Sequence, residues 1–295
     1  MRLVTYVDGD ALRAGVEIDG KVVDAEKAAG AAWAGTVVGI LKVDQAARDG
    51  LESAAAAMAA DGAPIEALTL APPVPEPQKI ICIGLNYHAH VEEAKGIDKA
   101  PNEAPPVPIL FPKFTTSLVG QDAEVLIPAA TEKMDYEAEL AVIIGRTATR
   151  VSIDDALDYV GGYSAFNDIS ARDIQLQTPQ WTAGKAADTF GPFGPVLVTA
   201  DAIADPQQLR VQCRLNGETM QDATTDLMIF PIARLIEFIS SVITLVPGDV
   251  IATGTPAGIG IARNPPVFMK AGDVIEVEVS EIGVLRNTLV NAPKS

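Results

Sequence analysis

The chain has 295 residues, enough for one large domain or two smaller ones at about 150 residues per domain. Its composition, 48% hydrophobic and 21% charged, is that of a globular protein and excludes collagen-like, coiled-coil and wholly disordered chains. The 22 Lys and Arg residues are outnumbered by 39 Asp and Glu residues, which gives a net charge of −17. Because such a surface repels phosphate backbones and anionic lipid, neither nucleic acid nor a membrane is expected as a partner.

The N-terminal part predicts a small α+β unit. Residues 3–7, 14–18 and 21–24 are predicted as short strands separated by Asp-Gly turns. Alanine-rich stretches between about residues 25 and 60 favour helices. A proline cluster at 72–77 predicts a semi-rigid connector, because proline restricts its own backbone. We therefore place a domain boundary there, with a small N-terminal domain at 1–72 and a catalytic domain at 73–295.

The rest of the chain consists mainly of short apolar segments between Gly, Pro and Asp-containing turns, which predicts mostly β structure. Helical periodicity is convincing at 152–160, where Ser152 and Asp155 resemble a capping box, and at 232–243. The proline-rich stretch 101–112 predicts a long surface loop. The predicted fold class is therefore α+β, with β structure predominating.

Targeting and redox signals are few. The N-terminus has no apolar stretch of signal-sequence length, and no apolar run approaches a membrane span, so we expect a cytoplasmic protein. Cys82 and Cys213 both stand in strand-like apolar segments, which is typical of buried free thiols. Neither cysteine is expected to bind metal or to act as a nucleophile.

Two glutamates mark the beginning of a predicted strand at 137–144. A strand has a side-chain period of two, so Glu137 and Glu139 share one face. Two carboxylates about 7 Å apart repel each other by roughly 2 kcal/mol at an effective dielectric constant near 20. A buried face would require a cation to balance them, whereas a solvated strand edge could pair them with Lys or Arg. This segment alone leaves both arrangements open.

A third acid ends the next apolar strand. Asp168 follows segment 162–167, and Arg172 and Gln175 come shortly after it. Binding residues are common where a strand runs into a loop. Three carboxylates without a cysteine form a hard oxygen site, which suits Mg²⁺, Mn²⁺ or Ca²⁺ better than Zn²⁺ or Cu²⁺. Spacing alone does not assign the three acids to one site.

The two histidines of the sequence, His88 and His90, follow the apolar segment 80–83 closely. If the chain is helical after Asn86, His90 and Glu93 lie on one face, three residues apart. A carboxylate beside an imidazole fixes its tautomer and raises its basicity, as a general base requires. A histidine that caps a helix or forms a hydrogen bond in the core is the alternative, and His88 is open to a surface or substrate-facing position.

Two further segments contain candidate binding groups. Lys185 follows Gly184 and precedes the stiff turn at 190–195, although a plain surface position is the commoner fate of a lysine. The loop at 251–260 follows a strand and presents backbone N–H groups suited to a carboxylate. It matches neither the Walker nor the GxGxxG pattern, so nucleotide binding is not expected.

Together these segments resemble the fumarylacetoacetate hydrolase family over residues 78–290. The motifs that carry the resemblance are IGLNYHAHVEE at 83–93, DYEAE at 135–139, NDISARDIQ at 167–175, GK at 184–185 with DTFGP at 188–192, LNGE at 215–218 with MQ at 220–221, and PGD at 247–249 running into TGTP at 253–256. Each fragment is weak by itself, but the ordered set is highly specific.

The resemblance implies a mixed β-roll, barrel-like catalytic domain that forms a homodimer. It implies Mg²⁺ or Mn²⁺ held by the residues that match the family's ligands: Glu137, Glu139 and Asp168. The animal enzyme type has a further acid upstream as a fourth ligand, and we find no equivalent in this sequence. The chain therefore resembles the bacterial three-carboxylate branch.

The resemblance also implies roles for the other candidates. His90 and Glu93 match the water-activating pair, and Lys185 matches the lysine near the developing oxyanion. The positions that match substrate-binding residues are Arg172, Gln175 and Thr255. Residues that choose the substituent beyond the ketoacid group are expected in the 95–117 loop, at Ile109, Phe111, Lys113 and Ser117, and around 177–181.

The implied substrates are 2-keto or 2,4-diketo acids. A divalent cation that chelates the ketoacid end stabilises an enolate leaving group, which suits cleavage of a carbon–carbon bond. The leading hypothesis is hydrolysis of an acylpyruvate-like acid to pyruvate or a related 2-keto acid, in catabolism of aromatics or sugar acids. The alternative is a lyase or isomerase: an oxaloacetate-type decarboxylase, a dehydratase, or a 2-hydroxyhepta-2,4-diene-1,7-dioate isomerase. The pair of His90 and Glu93 favours hydrolysis, and their presence with Lys185 argues against a metal-binding module without turnover.

Overall fold

The computed structural model of the protein describes residues 1–97 and 103–293. The strands are β1 (Arg2–Asp8), β2 (Ala11–Ile18), β3 (Lys21–Asp24), β4 (Ala63–Pro64), β5 (Leu70–Ala71), β6 (Ile80–Gly84), β7 (Ile109–Lys113), β8 (Leu118–Val119), β9 (Glu124–Ile127), β10 (Met134–Asp135), β11 (Ala138–Ile144), β12 (Val160–Asn167), β13 (Ser170–Ala171), β14 (Gly191–Thr199), β15 (Arg210–Leu215), β16 (Glu218–Thr224), β17 (Val250–Ala252), β18 (Val274–Val279) and β19 (Gly283–Asn291).

Among the described residues, the α-helices are fewer than the strands. The α-helices are α1 (Ala25–Ala29), α2 (Val37–Lys42), α3 (Gln45–Met58), α4 (His88–Ala94), α5 (Arg172–Gln175), α6 (Thr182–Lys185) and α7 (Ile232–Val242). Single 3-10 turns lie at Ala32–Gly35, Ala59–Asp61, Ile65–Ala67, Thr115–Ser117, Ala156–Tyr159, Ala200–Ala202, Thr225–Leu227 and Gly260–Ala262. Among the described residues, none of the helices has the length and apolar content needed to span a membrane.

Most strands belong to one large mixed sheet. Its order is β4-β3-β2-β1-β14-β12-β11-β17-β6-β7, with β5 beside β1 and β8 beside β14. A five-stranded sheet has the order β16-β15-β18-β19-β9, and β10 pairs with β13. Within residues 1–97 and 103–293 no pairing joins β4 to β7, so the large sheet is open rather than a closed barrel. The predicted α+β class with predominant β structure is confirmed.

The N-terminal part shares the large sheet with the rest of the chain. Strand β1 pairs antiparallel with β14, where Arg2 lies opposite Val198. Leu3 and Ile40 belong to one apolar cluster with Phe166 and Leu197, so the core is continuous across this junction. The division of the chain at 72/73 stays a prediction.

The order of the central strands places several loops at one edge of the sheet. Strands β6 and β17 are parallel neighbours, so the segments that follow them leave at the same edge. Strand β11 is antiparallel to both β17 and β12, and it therefore begins at the edge where those strands end. The residues after β6, β12 and β17 thus lie close to the glutamates at the start of β11.

Two local predictions are wrong in part. At 152–160 the structure has a 3-10 turn over Ala156–Tyr159, whose single buried residue, Ala156, offers too little apolar surface to hold an α-helix. In the predicted loop at 101–112, residues 101–102 lie outside the described part, and the final residues belong to strand β7. Proline is tolerated there because β7 is an edge strand of the sheet. Pro112 has no N–H group to donate, but an edge strand has a neighbour on only one side and can accommodate this loss.

Other local predictions are confirmed. The helix predicted at 232–243 is α7, with Ile232, Leu235, Ile236 and Ile239 buried at helical spacing. The alanine-rich segment forms α3, which Asp44 caps by accepting a hydrogen bond from Ala47 N–H. Both cysteines are free and buried, and burial raises the pKa of each thiol well above its usual value.

Candidate active site

The three candidate metal ligands form one buried cluster. Glu137, Glu139 and Asp168 each place a carboxylate oxygen within 4.8 Å of the others. The pairing of β11 with β12 causes this, because Ala138 lies opposite Asn167. Glu137, which precedes Ala138, is thereby placed beside Asp168, which follows Asn167. The Asp168 N–H also donates to the Glu137 carbonyl oxygen at 2.9 Å. Of the two arrangements that the sequence left open for the glutamates, the structure therefore has the buried one.

Two cationic side chains contact Glu137. Lys185 Nζ lies 2.7 Å from Glu137 Oε2 and 2.8 Å from Asp168 Oδ2, and Arg172 Nη2 lies 2.7 Å from Glu137 Oε1. Burial alone would favour a neutral glutamate, but Lys185 and Arg172 hold the pKa of Glu137 below its usual value. Burial also opposes the charged form of Lys185, and the neighbouring Asp168 and Glu137 nevertheless raise its pKa. Both Glu137 and Lys185 are therefore charged at neutral pH.

Glu139 has a different environment. Its Oε2 accepts a hydrogen bond from the Gly254 N–H at 2.9 Å, and the described residues place no Lys or Arg in ion-pair contact with it. Burial, followed by the charges of Asp168 and Glu137, raises the pKa of Glu139 well above its usual value. Gly254 can approach because its φ is +99° and a Cβ there would lie 2.7 Å from Asn86 Cβ. Glu139 thus lacks a compensating positive charge.

The cluster fits a divalent cation. Four buried carboxylates, those of Asp135, Glu137, Glu139 and Asp168, are accompanied by three cationic side chains, those of Lys113, Arg172 and Lys185. Asp168 Oδ1 is also buried, and it forms an ion pair with Lys113 Nζ at 2.7 Å. The surplus carboxylate suits a cation held by Glu137, Glu139 and Asp168. Ligands that offer only oxygen favour Mg²⁺, Mn²⁺ or Ca²⁺.

Lys113 belongs to this cluster, whereas the sequence led us to expect it among the residues that choose the substituent beyond the ketoacid group. Its side chain, at the end of β7, is fully buried beside Asp168. The ammonium donates to the carbonyl oxygens of Ile169 and Phe190, at 3.2 and 2.8 Å, and contacts that of Lys185. It therefore joins β7 to the segments that carry Asp168 and Lys185. A lysine within an otherwise apolar strand was the sequence signal for such a buried charge.

His90 and Glu93 form a pair on helix α4. His90 Nδ1 lies 2.7 Å from Glu93 Oε1, and Glu93 Oε2 accepts the Gly258 N–H at 2.8 Å. Asn86 anchors the start of the helix by donating to the carbonyl oxygens of Phe230 and Thr253, at 3.1 and 2.8 Å. The helix that the sequence expected after Asn86 is confirmed. His90 is buried, whereas His88 on the same helix is exposed.

Arg172 is held by acceptors on several sides. Its Nε donates to Asp135 Oδ2 at 2.8 Å, and its Nη1 donates to Gln175 Oε1 at 2.9 Å. Asp135 in turn accepts the backbone N–H groups of Gly260 and Ile261 at 2.7 and 3.0 Å. Burial opposes the charged guanidinium, but Asp135 and Glu137 raise the pKa of Arg172 above its usual value. Asp135 therefore orients Arg172, a role that its place beside the glutamate motif could have suggested.

The loop after β17 uses its backbone N–H groups in an unexpected way. They were expected to suit a substrate carboxylate, but those of Gly254, Gly258 and Gly260 bind the carboxylates of Glu139, Glu93 and Asp135 of this chain. The reason is that the sheet order brings the start of β11 and helix α4 to the same edge as this loop.

Thr255 is positioned by its neighbours on β11 and β16. Its hydroxyl donates to the Ala138 carbonyl oxygen at 2.9 Å and accepts from Gln221 Nε2 at 2.7 Å. Gln221, which also accepts the Ala138 N–H at 2.9 Å, was noted in the sequence only as part of a motif. Gln221 therefore orients both Thr255 and the strand that carries the glutamates.

One cavity of about 50 Å³ brings most of these groups together. Its polar lining residues are His90, Glu137, Arg172, Gln175, Lys185 and Thr255. Its apolar lining includes Ile83, Leu85, Phe111, Leu176, Trp181 and Ile259. A larger outer cavity shares Arg172, Leu176 and Ile261 with it. The six polar residues are among the predicted catalytic, substrate-binding and metal-binding residues, whose roles stay predictions.

The chain is similar in sequence and in fold to several known proteins. The chain is 43% identical over 229 residues to oxaloacetate tautomerase FAHD2A, mitochondrial, from Homo sapiens, covering 77% of this chain and 71% of that protein. The structure of maleylpyruvate hydrolase from Sphingobium sp. SYK-6 is 32% identical, with a TM-score of 0.79 over 99% of this chain and 100% of that chain. That of 2-hydroxyhepta-2,4-diene-1,7-dioate isomerase from Mycobacterium marinum is 31% identical, with a TM-score of 0.74 over 100% of both chains. The family model described as fumarylacetoacetate (FAA) hydrolase C-terminal matches residues 79–290, so the chain belongs to the fumarylacetoacetate hydrolase family.

Proposed function

We propose that the protein is a metal-dependent enzyme that interconverts the keto and enol forms of a compact 2-oxo acid of the oxaloacetate type. The observation that carries this proposal is that one cavity is lined both by Glu137 of the buried acidic cluster and by His90 of the His90–Glu93 pair. The relatives of this chain include an oxaloacetate tautomerase that is 43% identical to it. Isomerisation was the alternative to hydrolysis in the sequence-based hypothesis, and it now becomes the leading one.

The acidic cluster provides the place for the ketoacid end of the substrate. A divalent cation held by Glu137, Glu139 and Asp168 would supply Lewis acidity, which polarises the carbonyl group of a 2-oxo acid. Lys185 directs two of its three protons at Glu137 and Asp168, which leaves one N–H for the oxygen where negative charge develops. Arg172 and Gln175 line the same cavity and offer N–H donors to the substrate carboxylate, and Thr255 lines it with its hydroxyl proton directed at the Ala138 carbonyl oxygen.

His90 is suited to move the proton. Glu93 accepts a hydrogen bond from Nδ1–H in the tautomer that this contact favours, which leaves Nε2 with a free lone pair. Nε2 takes the proton from the carbon next to the carbonyl group and then gives that proton to the carbonyl oxygen, which returns the imidazole to its neutral form, so the net result is a 1,3-shift of one proton. Because Glu93 is itself held by the Gly258 N–H, the imidazole cannot rotate freely away from the cavity.

Hydrolysis of an acylpyruvate is the second candidate, and the His90–Glu93 pair also favours it. In that reaction Nε2 would deprotonate a water that attacks the far carbonyl group. Structural similarity to a maleylpyruvate hydrolase supports the candidate. Isomerisation makes a smaller demand on this site, since it needs one proton-transfer group and no positioned water.

The decisive experiment compares both reactions on one protein preparation. Enol absorbance follows the tautomerisation of oxaloacetate, and pyruvate release follows the cleavage of acylpyruvates, each with Mg²⁺ or Mn²⁺ and with EDTA. We expect metal-dependent tautomerisation, and we expect calorimetry to show loss of metal binding in Asp168→Ala. Metal-dependent pyruvate release without tautomerisation would replace the proposal by hydrolysis. Absence of both activities with intact metal binding would refute it.

We further propose that the enzyme is a homodimer joined through its catalytic domain and that it is cytoplasmic. Family resemblance supports the dimer, and the location keeps the expectation made from the sequence. Light scattering at micromolar concentration tests the first statement, and a monomer mass would refute it. Fractionation of the source cells tests the second, for which a mitochondrial or secreted pool would be the contrary result.

A further inference from the structure

Two aromatic side chains form part of the cavity wall next to Lys185. Trp181 and Phe111 both line it, and their ring centroids lie 5.5 Å apart at an interplanar angle of 72°. The ammonium of Lys185 lies 5.2 Å from the centroid of the Phe111 ring. The Phe111 ring therefore contacts both the Lys185 ammonium and the indole, which places the indole about one ring beyond this charged group.

The indole of Trp181 is held in place by the backbone of strand β6. A Cβ atom added at Gly84 would lie 2.4 Å from Trp181 Cζ3 and 2.9 Å from Cη2, distances that real Cβ contacts do not reach. The indole thus rests directly on the glycine, where no other residue leaves enough space. Its edge-to-face contact with Phe111 holds it from a second direction.

Trp181 is also tied to the charged end through the chain. It directly precedes helix α6, whose last residue is Lys185, and the Gly184 N–H donates to the Trp181 carbonyl oxygen at 2.9 Å. The wall and the lysine therefore belong to one short segment. Such a connection keeps the distance between the two ends of the cavity constant.

We propose that Trp181 determines which 2-oxo acids the site accepts by limiting the length of the chain beyond the oxo group, with Gly84 holding the indole at its present depth. The proposal rests on the proposed function, because it assumes that the oxo acid group occupies the charged end. The ligand class is a compact 2-oxo acid with a short substituent. Longer alkyl or aryl substituents collide with the indole.

The test is a binding series that requires no turnover. Calorimetry on the Mg²⁺-loaded protein compares oxalate, which probes only the charged end, with pyruvate, 2-oxobutyrate and 2-oxohexanoate. The wild type should bind 2-oxohexanoate more weakly than 2-oxobutyrate. Trp181→Ala should bind 2-oxohexanoate about tenfold more tightly than the wild type, because the extra methylene groups then enter the vacated space, and its oxalate affinity should not change.

A double-mutant cycle adds a geometric control. Gly84→Ala pushes the indole into the cavity, so it should weaken 2-oxobutyrate binding in the wild-type background. In the Trp181→Ala background the same change should have little effect, because the atoms that collide with the new methyl group are gone. Additive effects of the two changes would show that the Gly84 contact does not set the depth of the wall, and would overturn that part of the proposal.

Other outcomes separate this proposal from the proposed function. An unchanged length profile in Trp181→Ala, with normal oxalate binding, overturns the role of Trp181 and leaves the proposed function intact. Loss of oxalate binding in Trp181→Ala assigns Trp181 to the positioning of Lys185 and also overturns the proposal. Failure of the wild type to bind oxalate at all refutes the proposed function itself.

Discussion

The charged groups around Asp168 and those on the five-stranded sheet are of the same chemical types, but their surroundings differ completely. On the sheet, Arg210 contacts Asp222 with side chains 56% and 39% exposed, and Arg214 contacts Glu276 and Glu278 near solvent. Around Asp168 the partners Lys113 and Lys185 are 0% and 3% exposed. Exposed pairs contribute about 0 to 1 kcal/mol, whereas removing one partner of a buried pair costs about 3 to 5 kcal/mol. Burial, rather than residue type, therefore marks the groups that matter at this site.

The same contrast between buried and exposed groups occurs between residues of one type, such as the two histidines and two of the lysines. His90 is buried against Glu93, whereas His88 is exposed one half-turn away. Lys113 is buried under Asp168, whereas Lys95 forms a surface pair with Glu92. Each exposed residue is thus a matched control for its buried counterpart.

The largest expected effect concerns the two histidines. His90→Ala should lower kcat by a factor of roughly 100 to 10,000, about 3 to 5 kcal/mol, because the proton-transfer group is removed. Mg²⁺ and oxalate affinities, measured by calorimetry, should stay close to wild type, since the acidic cluster is intact. His88→Ala should retain most of the turnover. Near-normal turnover in His90→Ala would exclude His90 as the base.

Lys113 should matter mainly for folding stability. Lys113→Met should lower the free energy of unfolding by about 3 to 5 kcal/mol, because Asp168 and the carbonyl groups of Ile169 and Phe190 lose a buried partner. Urea denaturation measures the change. Lys95→Met, the surface control, should change the free energy by less than about 1 kcal/mol. Equal effects in the two variants would contradict the distinction between buried and exposed pairs.

Substitution of Glu139 should raise the free energy of unfolding, whereas substitution of Lys113 should lower it. The raised pKa of Glu139 means that the folded state holds this proton more tightly than the unfolded state does. The stability of the EDTA-treated, metal-free protein should therefore fall as pH rises from the usual glutamate pKa towards the raised one. Glu139→Gln removes that loss and should stabilise the metal-free protein at pH 8 by about 1 to 3 kcal/mol. The same substitution should lower the Mg²⁺ affinity. Glu278→Gln on the exposed sheet is the control, which should change the free energy of unfolding by less than about 1 kcal/mol and leave the Mg²⁺ affinity unchanged. A less stable Glu139→Gln protein would show that the carboxylate already has a sufficient partner.

Local periodicity in the sequence was sufficient for several parts of the site. The strand period of two put Glu137 and Glu139 on one face, and the helical spacing put His90 beside Glu93. Helix α7 followed from apolar spacing in the same way, and strands β1, β2 and β3 followed from short segments between Asp-Gly turns. These features depend on residues only a few positions apart, so the backbone geometry of a single element determines them.

The long-range arrangement was decided by the tertiary structure. Whether the glutamate face is buried, whether Asp168 joins it, and where Lys113 points all depend on the pairing of β11 with β12 and of β6 with β7. The Lys185 contact to Glu137 spans 48 residues, and no local period encodes such a separation. The order of strands in the sheet is a balance over the whole core, whereas periodicity reports one element at a time. For that reason the sequence by itself determined which residues could do the chemistry, and only the folded sheet decided which of them meet.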